Sequence, residues 1–190
     1  MDKIKNELKE KIEENISIHK LLVKDHGQIK RAIELIAKSI KKKSKILICG
    51  NGGSAADAQH LSAELVGRFL KNRQPLASLS LTTDSSAITA IGNDFSFDEI
   101  FSRQLEAIGN KGDVLYAIST SGKSKNIIKA LQVANKLEIK TIGITSVAGK
   151  DLNNFCDITI EVPSRRTDRI QEMHIATGHI ICEIVENKLC

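Results

Sequence analysis

Tryptophan is absent from this 190-residue sequence, tyrosine occurs once and phenylalanine five times. A surface that stacks nucleobases needs aromatic platforms and a strong positive charge. With so few rings and a formal net charge of only +5, no nucleic-acid partner is expected. Proline is nearly as scarce, at two residues, and glycine is ordinary at 12, which excludes collagenous and proline-rich disordered chains. The four cysteines, Cys49, Cys156, Cys182 and Cys190, are separated by 107, 26 and 8 positions. That spacing contains no C-x-x-C pair and no disulfide framework, so reduced thiols are expected. No stretch approaches the ~18 consecutive apolar residues of a membrane span, and the start MDKIKNELKE lacks the apolar region of a signal peptide. The expectation is a cytoplasmic protein with no membrane partner.

What is present is an ordinary globular composition, 41% hydrophobic and 27% charged, in a chain of the right length for one domain over 1–190. Apolar residues at helical spacing, Ile4, Leu8, Ile12 and Ile16, then Ile29, Ile33, Ala37 and Ile40, predict two amphipathic helices with a break near Asp25-His26-Gly27. These helices, residues 1–43, form an N-terminal pair that needs a surface to bury it. The run Lys41-Lys42-Lys43 reads as lysines complementing a helix C-terminus. From residue 44 onward, short apolar runs alternate with helical stretches, the pattern of a parallel α/β core. The predicted strands are KILIC (45–49), LASLSL (76–81), DVLYAIS (113–119), KTIGITS (140–146) and DITIEV (157–162), with helices over about 54–70, 84–91, 96–108, 124–136 and 168–188. Near-continuous apolar strands suit a doubly wound, five-stranded parallel sheet flanked by helices on both faces.

In such a sheet, ligands bind beyond the carboxyl ends of the strands, and two of those ends carry suitable chemistry. Gly50-Asn51-Gly52-Gly53-Ser54 follows KILIC and precedes a helix. Glycines there let backbone N–H groups approach a ligand, and the helix start favours negative charge. The dinucleotide pattern G-x-G-x-x-G fails at Ala55, and there is no Walker G-K-[ST] at the required offset. Ser119-Thr120-Ser121-Gly122-Lys123-Ser124 follows DVLYAIS and places four hydroxyls, a glycine and helix-terminal N–H groups together. Alone, it reads equally as a strand-to-helix turn with a serine cap. Two such loops in one small sheet, with a mildly positive chain, point to a small phosphorylated substrate.

His60 and Glu64 lie at i and i+4 on the helix after the first loop and can act on one ligand or metal ion. Small residues at 55–58 allow close approach to that helix. On the last helix, Gln171 and His179 are separated by eight positions, about 80° around the axis and about 12 Å along it. Reaching one centre requires both side chains to lean inward, or a second subunit to complete the site. His174, His19 and His26 are read as structural or surface residues.

The run from Gly50 to His60 with Glu64-Leu65-Val66-Gly67-Arg68-Phe69 resembles the sugar isomerase (SIS) family, as do Leu81-Thr82-Thr83-Asp84, Ile91-Gly92-Asn93-Asp94, Ala117 to Gly122 with Ser124, and Arg169 to His174. The resemblance covers almost the whole chain. Within the family it points to the members that isomerise sedoheptulose 7-phosphate to D-glycero-D-manno-heptose 7-phosphate through an enediol, the first step toward nucleotide-activated heptose for lipopolysaccharide or capsule. It implies a homotetramer with active sites between subunits and one zinc ion per subunit, held by His60, Glu64, Gln171 and His179. Glu64 and His179 would be catalytic, Glu64 as the base moving a proton between adjacent carbons and His179 as acid and base on the oxygens. Substrate contacts would come from Asn51, Gly52, Gly53, Ser54, Glu64, Arg68, Asn93, Asp94, Ser119, Thr120, Ser121, Ser124, Asp168 and Gln171, with the phosphate at Ser119, Ser121 and Ser124. The sugar's length is not set by the residues themselves.

Two non-enzymatic alternatives exist within the family. A tetrameric relative that binds the replication initiator retains the R-I-Q-E-M-H segment but has lost the carboxylate and the second imidazole; this chain carries both Glu64 and His179. Phosphosugar-sensing transcription factors attach a DNA-binding domain, and the forty N-terminal residues lack a helix-turn-helix with a wing.

Overall fold

The computed structural model describes residues 2–24 and 26–190, so Asp25, at the expected break between the first two helices, lies outside the described residues. The chain runs α1 (Lys3–Lys24), α2 (Gly27–Lys41), β1 (Ile46–Gly50), α3 (Gly53–Val66), β2 (Ser78–Ser80), α4 (Ser85–Asp94), α5 (Ser102–Ile108), β3 (Val114–Ile118), α6 (Lys125–Lys136), β4 (Lys140–Ser146), β5 (Ile158–Val162) and α7 (Thr167–Leu189). Short 3-10 turns cover Phe97–Glu99 and Lys150–Asn154. The five strands form one parallel sheet in the order β2-β1-β3-β4-β5. No helix among the described residues is long and apolar enough to cross a membrane.

Alternate strand residues feed two cores, because successive side chains point to opposite faces of the sheet. Ile46, Ile48, Val114, Tyr116, Ile142 and Ile144 pack under α2, α3 and α7. Leu47, Cys49, Leu115 and Ala117 face α5 and α6 on the other side. β1 and β3 are buried at every position, as their unbroken apolar runs require, whereas β5, at the edge, alternates buried and half-buried residues.

Three sequence expectations are corrected. The predicted strand 76–81 shrinks to Ser78–Ser80, because β2 pairs only with β1, over three residues. The helix predicted for 54–70 ends at Val66, with Gly67 at its C-cap and an irregular segment beyond. The single helix predicted for 96–108 is divided: Ser96 accepts a hydrogen bond from the Asp98 N–H at 3.0 Å and opens a 3-10 turn, and α5 starts only after Ile100 and Phe101 turn into the core. The N-terminal pair forms as expected, yet Ile4, Leu8, Ile12 and Ile16 on α1 are 76, 59, 50 and 46% exposed, so the predicted stripe is not buried within this chain.

Candidate active site at the strand-order switch

In the order 2-1-3-4-5 the chain reverses its direction of winding between β1 and β3, and that is where an open α/β sheet leaves its ligand crevice. The two loops singled out from sequence are the ones that follow these neighbouring strands. A reciprocal amide pair ties them together: Asn51 Nδ2 donates to Asn126 Oδ1 at 2.9 Å and Asn126 Nδ2 donates to Asn51 Oδ1 at 2.8 Å. Asn126 is buried, and its Oδ1 also accepts the N–H of Ile127. Gly52 holds φ +57° at the start of α3 and Gly122 φ +65° in the second loop, both left-handed values that favour glycine. A side chain at Gly122 would also strike the backbone of Gly149.

Ser124 stands at the N-cap of α6 without capping it. Its hydroxyl lies 3.4 Å from that of Ser119, which also accepts the Gly122 N–H, while Ser121 Oγ accepts the Lys123 N–H. The Thr120 carbonyl accepts from Ser146 Oγ. The loop is therefore braced from within, and the hydroxyls gather where a phosphate would sit at a helix start.

The second half of the site comes from α3 and α7, which run side by side in the same direction. Gly53 lies against the Gln171 amide, and Leu61 meets Gly178, where any added side chain would collide with it. One step further on, His60 Nε2 is 2.9 Å from His179 Nε2 and 3.3 Å from Glu64 Oε1. Ligand atoms of His60, Glu64 and His179 all fall within 4.8 Å of one another, with His60 exposed and the other two half-buried. Two imidazole nitrogens and a carboxylate oxygen, converging from rigid helices, make a donor set that suits zinc. Gln171 lies at the other end of the cleft, over the first loop, about 10 Å along the helix from the level of His60.

The remaining expected contacts are spread around this centre. Ser54 is buried in the first turn of α3. Arg68 is exposed in the segment after α3. Asn93 and Asp94 are exposed at the end of α4, hydrogen-bonded to one another at 2.8 Å. Asp168, in the first turn of α7, is gripped by the Arg166 guanidinium, which holds its carboxyl down at about 2. His174 is buried, bonded through Nε2 to the Thr145 carbonyl at 3.2 Å, and burial lowers it to about 4; it is structural. His19 bonds the Asn15 carbonyl on its own helix, and His26, at the N-cap of α2, bonds the Val23 carbonyl of α1.

Several residues escaped the sequence reading. Asp57 sits three residues before His60; burial raises its carboxyl, partly offset by His60 and His179, and its Oδ2 is buried without a partner. An acid within a run of alanines one turn from His60 was the available signal. Asn126 had none, since its role depends on β1 and β3 being neighbours. Phe69, whose ring stacks on His179 with centroids 5.7 Å apart and planes at 26°, was seen only as part of a motif.

The SIS domain family matches residues 11–146 of this chain, which carry the first four strands of the parallel 2-1-3-4-5 sheet, and the chain belongs to that family. The phosphoheptose isomerase of Aliarcobacter butzleri is 50% identical over 182 residues, covering 96% of each chain. The structure of the Neisseria gonorrhoeae phosphoheptose isomerase superposes with a TM-score of 0.90 at 40% identity, covering 97% of this chain and 99% of that one. The phosphoheptose isomerase from Francisella tularensis gives 0.92 at 34% identity, with 98 and 100% covered. Within the SIS family the chain belongs to the phosphoheptose isomerases and is an enzyme, a phosphosugar isomerase.

Proposed function

We propose that the enzyme interconverts sedoheptulose 7-phosphate and D-glycero-D-manno-heptose 7-phosphate through an enediol, at the head of nucleotide-heptose synthesis in the cytoplasm. The observation that carries this reading is the convergence of Glu64 and two imidazoles beside a hydroxyl-rich anion loop. Ser119, Ser121 and Ser124, with Thr120, hold the phosphate at the far end of the sugar. Asn51, Gly52, Gly53, Ser54 and Gln171 line the path to the reacting carbons, and Arg68, Asn93, Asp94 and Asp168 complete the contacts from the rim.

Glu64 takes a proton from carbon 1 of the ketose and returns it to carbon 2. His179 gives a proton to the carbonyl oxygen at carbon 2 and accepts one from the hydroxyl at carbon 1. Two hydrogens change place and none is lost, and the carboxylate and the imidazole carry both transfers. His60, Glu64 and His179 would hold zinc, with Gln171 as a fourth ligand if its side chain swings from the first loop or a partner subunit supplies it. Bound zinc would polarise the two oxygens and so acidify the carbon proton. The non-catalytic reading is not favoured, because the carboxylate and second imidazole that it would dispense with are present and adjacent.

Proton NMR of the protein with sedoheptulose 7-phosphate in D₂O tests the proposal. Aldoheptose anomeric signals with deuterium at carbon 2 are expected, because a carboxylate base exchanges its proton with solvent. No product, with or without added zinc, would overturn it.

A further inference from the structure

The segment that follows α3 has neither helix nor strand, yet it is anchored by the most buried ion pair among the described residues. Arg73 Nε lies 2.8 Å from Glu186 Oε1, with side chains 3 and 1% exposed. Glu186, two turns beyond His179 on α7, also accepts the backbone N–H groups of Phe69, Leu70 and Lys71 at 3.1, 2.8 and 2.9 Å. Burial alone would raise this carboxyl; the three N–H groups and the guanidinium outweigh it and hold the group below the usual range. Arg73 turns its other nitrogens to the carbonyls of Glu64 and Leu65, both at 2.9 Å. A buried pair with this many partners in place is rigid, since every move strands a charge or a donor in low dielectric.

The pair holds two things in register. One is the last turn of α3, from which the Glu64 side chain departs. The other is Phe69, whose ring stacks on His179 in a tilted, offset arrangement. A functional imidazole is commonly oriented by a hydrogen bond to its second nitrogen. Nδ1 of His179 makes no such bond among the described residues, while the Phe69 ring stacks against the imidazole.

We propose that Phe69, Arg73 and Glu186 are positioning residues: the buried ion pair fixes the loop after α3 so that Phe69 sets the plane of His179 opposite Glu64. The inference rests on the catalytic role proposed for His179, but its geometry can be read without turnover. The full-length protein, labelled on its histidine rings, is compared with Phe69→Leu, Phe69→Tyr and Glu186→Gln at one pH and equal zinc content, with the His179 signal assigned through His179→Gln. Phe69→Leu is expected to move the His179 ring signals as the aromatic neighbour is lost. It should also lower kcat by about 10- to 100-fold with KM changed less than about twofold, and Phe69→Tyr should restore both. Glu186→Gln, which replaces an acceptor oxygen with an NH₂ group facing N–H donors, should displace the same signals. If that variant does not fold, Arg73→Lys, which keeps the charge and gives up the fork to both carbonyls, is read in its place. An unmoved His179 signal in Phe69→Leu overturns the proposal, as does a moved signal with wild-type kcat and KM. Should the wild-type protein fail to isomerise the substrate, the proposed function falls and the His179 signals alone judge the stack: displaced by Glu186→Gln they support the clamp, and unmoved they overturn it.

Discussion

Glu64 leaves α3 one turn after His60, and the 3.3 Å between their side chains places the carboxylate within reach of any sugar lying against the two imidazoles. Glu64→Gln keeps the shape and removes the base, so kcat should fall by about 10²- to 10⁴-fold while the Kd for sedoheptulose 7-phosphate changes little; calorimetric titration beside the turnover assay checks this, and an active variant would remove Glu64 from the role. Thorough chelation should abolish activity and zinc should restore it, whereas full turnover with metal below stoichiometry would dispose of the ion. His174 supplies a stability prediction independent of catalysis. Burial lowers it from the ordinary 6.5 to about 4, so the unfolded chain binds the extra proton between those values. Its contribution is complete above pH ~6.5 and is lost as pH falls toward 4, amounting to a loss of about 2 kcal/mol between pH 7.5 and pH 5. Urea unfolding at the two pH values should show this loss, and His174→Gln should flatten it. The His60–Glu64 pair was legible in the sequence because helical spacing alone puts i and i+4 on one face. Phe69 and Glu186 were not, because each takes its meaning from the parallel contact of α3 with α7, which spans more than a hundred residues of chain.

At the scale of elements, the two loops work because β1 and β3 are neighbours, and the Asn51–Asn126 pair converts that adjacency into a fixed separation. Gly122 is the point where the second loop is least tolerant. Its φ of +65° and the Gly149 backbone against it leave no room for a methyl group. Gly122→Ala should cost about 1–3 kcal/mol of stability and raise KM for the phosphosugar more than it lowers kcat; an unchanged KM would place the phosphate elsewhere. The strands β1 and β3 were readable as unbroken apolar runs, since burial on both faces leaves no alternation to misread. The edge strand β2 and the divided helix over 96–108 were not readable. Partner strands decide where an edge strand stops, and the inward turn of Ile100 and Phe101 interrupts a periodicity that looks continuous in one dimension.

For the whole molecule, the stripe of Ile4, Leu8, Ile12 and Ile16, with Leu21, Val23, Ile180 and Ile184 also exposed, is more apolar helix surface than a lone protomer buries. We propose that these helices pack between copies in a homotetramer, so light scattering should return four times the 20.8 kDa of the chain, and Leu8→Glu with Ile12→Glu should lower that mass. A monomer at working concentration would contradict the assembly. The α/β class, the positions of the glycine-rich and hydroxyl-rich loops and the His60–Glu64 pair are written in the sequence, because turn chemistry and side-chain periodicity are local properties of a few consecutive residues. Long-range packing sets β1 beside β3, α3 parallel to α7, Gln171 over the first loop while His179 meets His60, and the buried Arg73–Glu186 pair against the backbone of the loop that carries Phe69. Those facts depend on which distant surfaces exclude water together, and no short stretch of sequence records that.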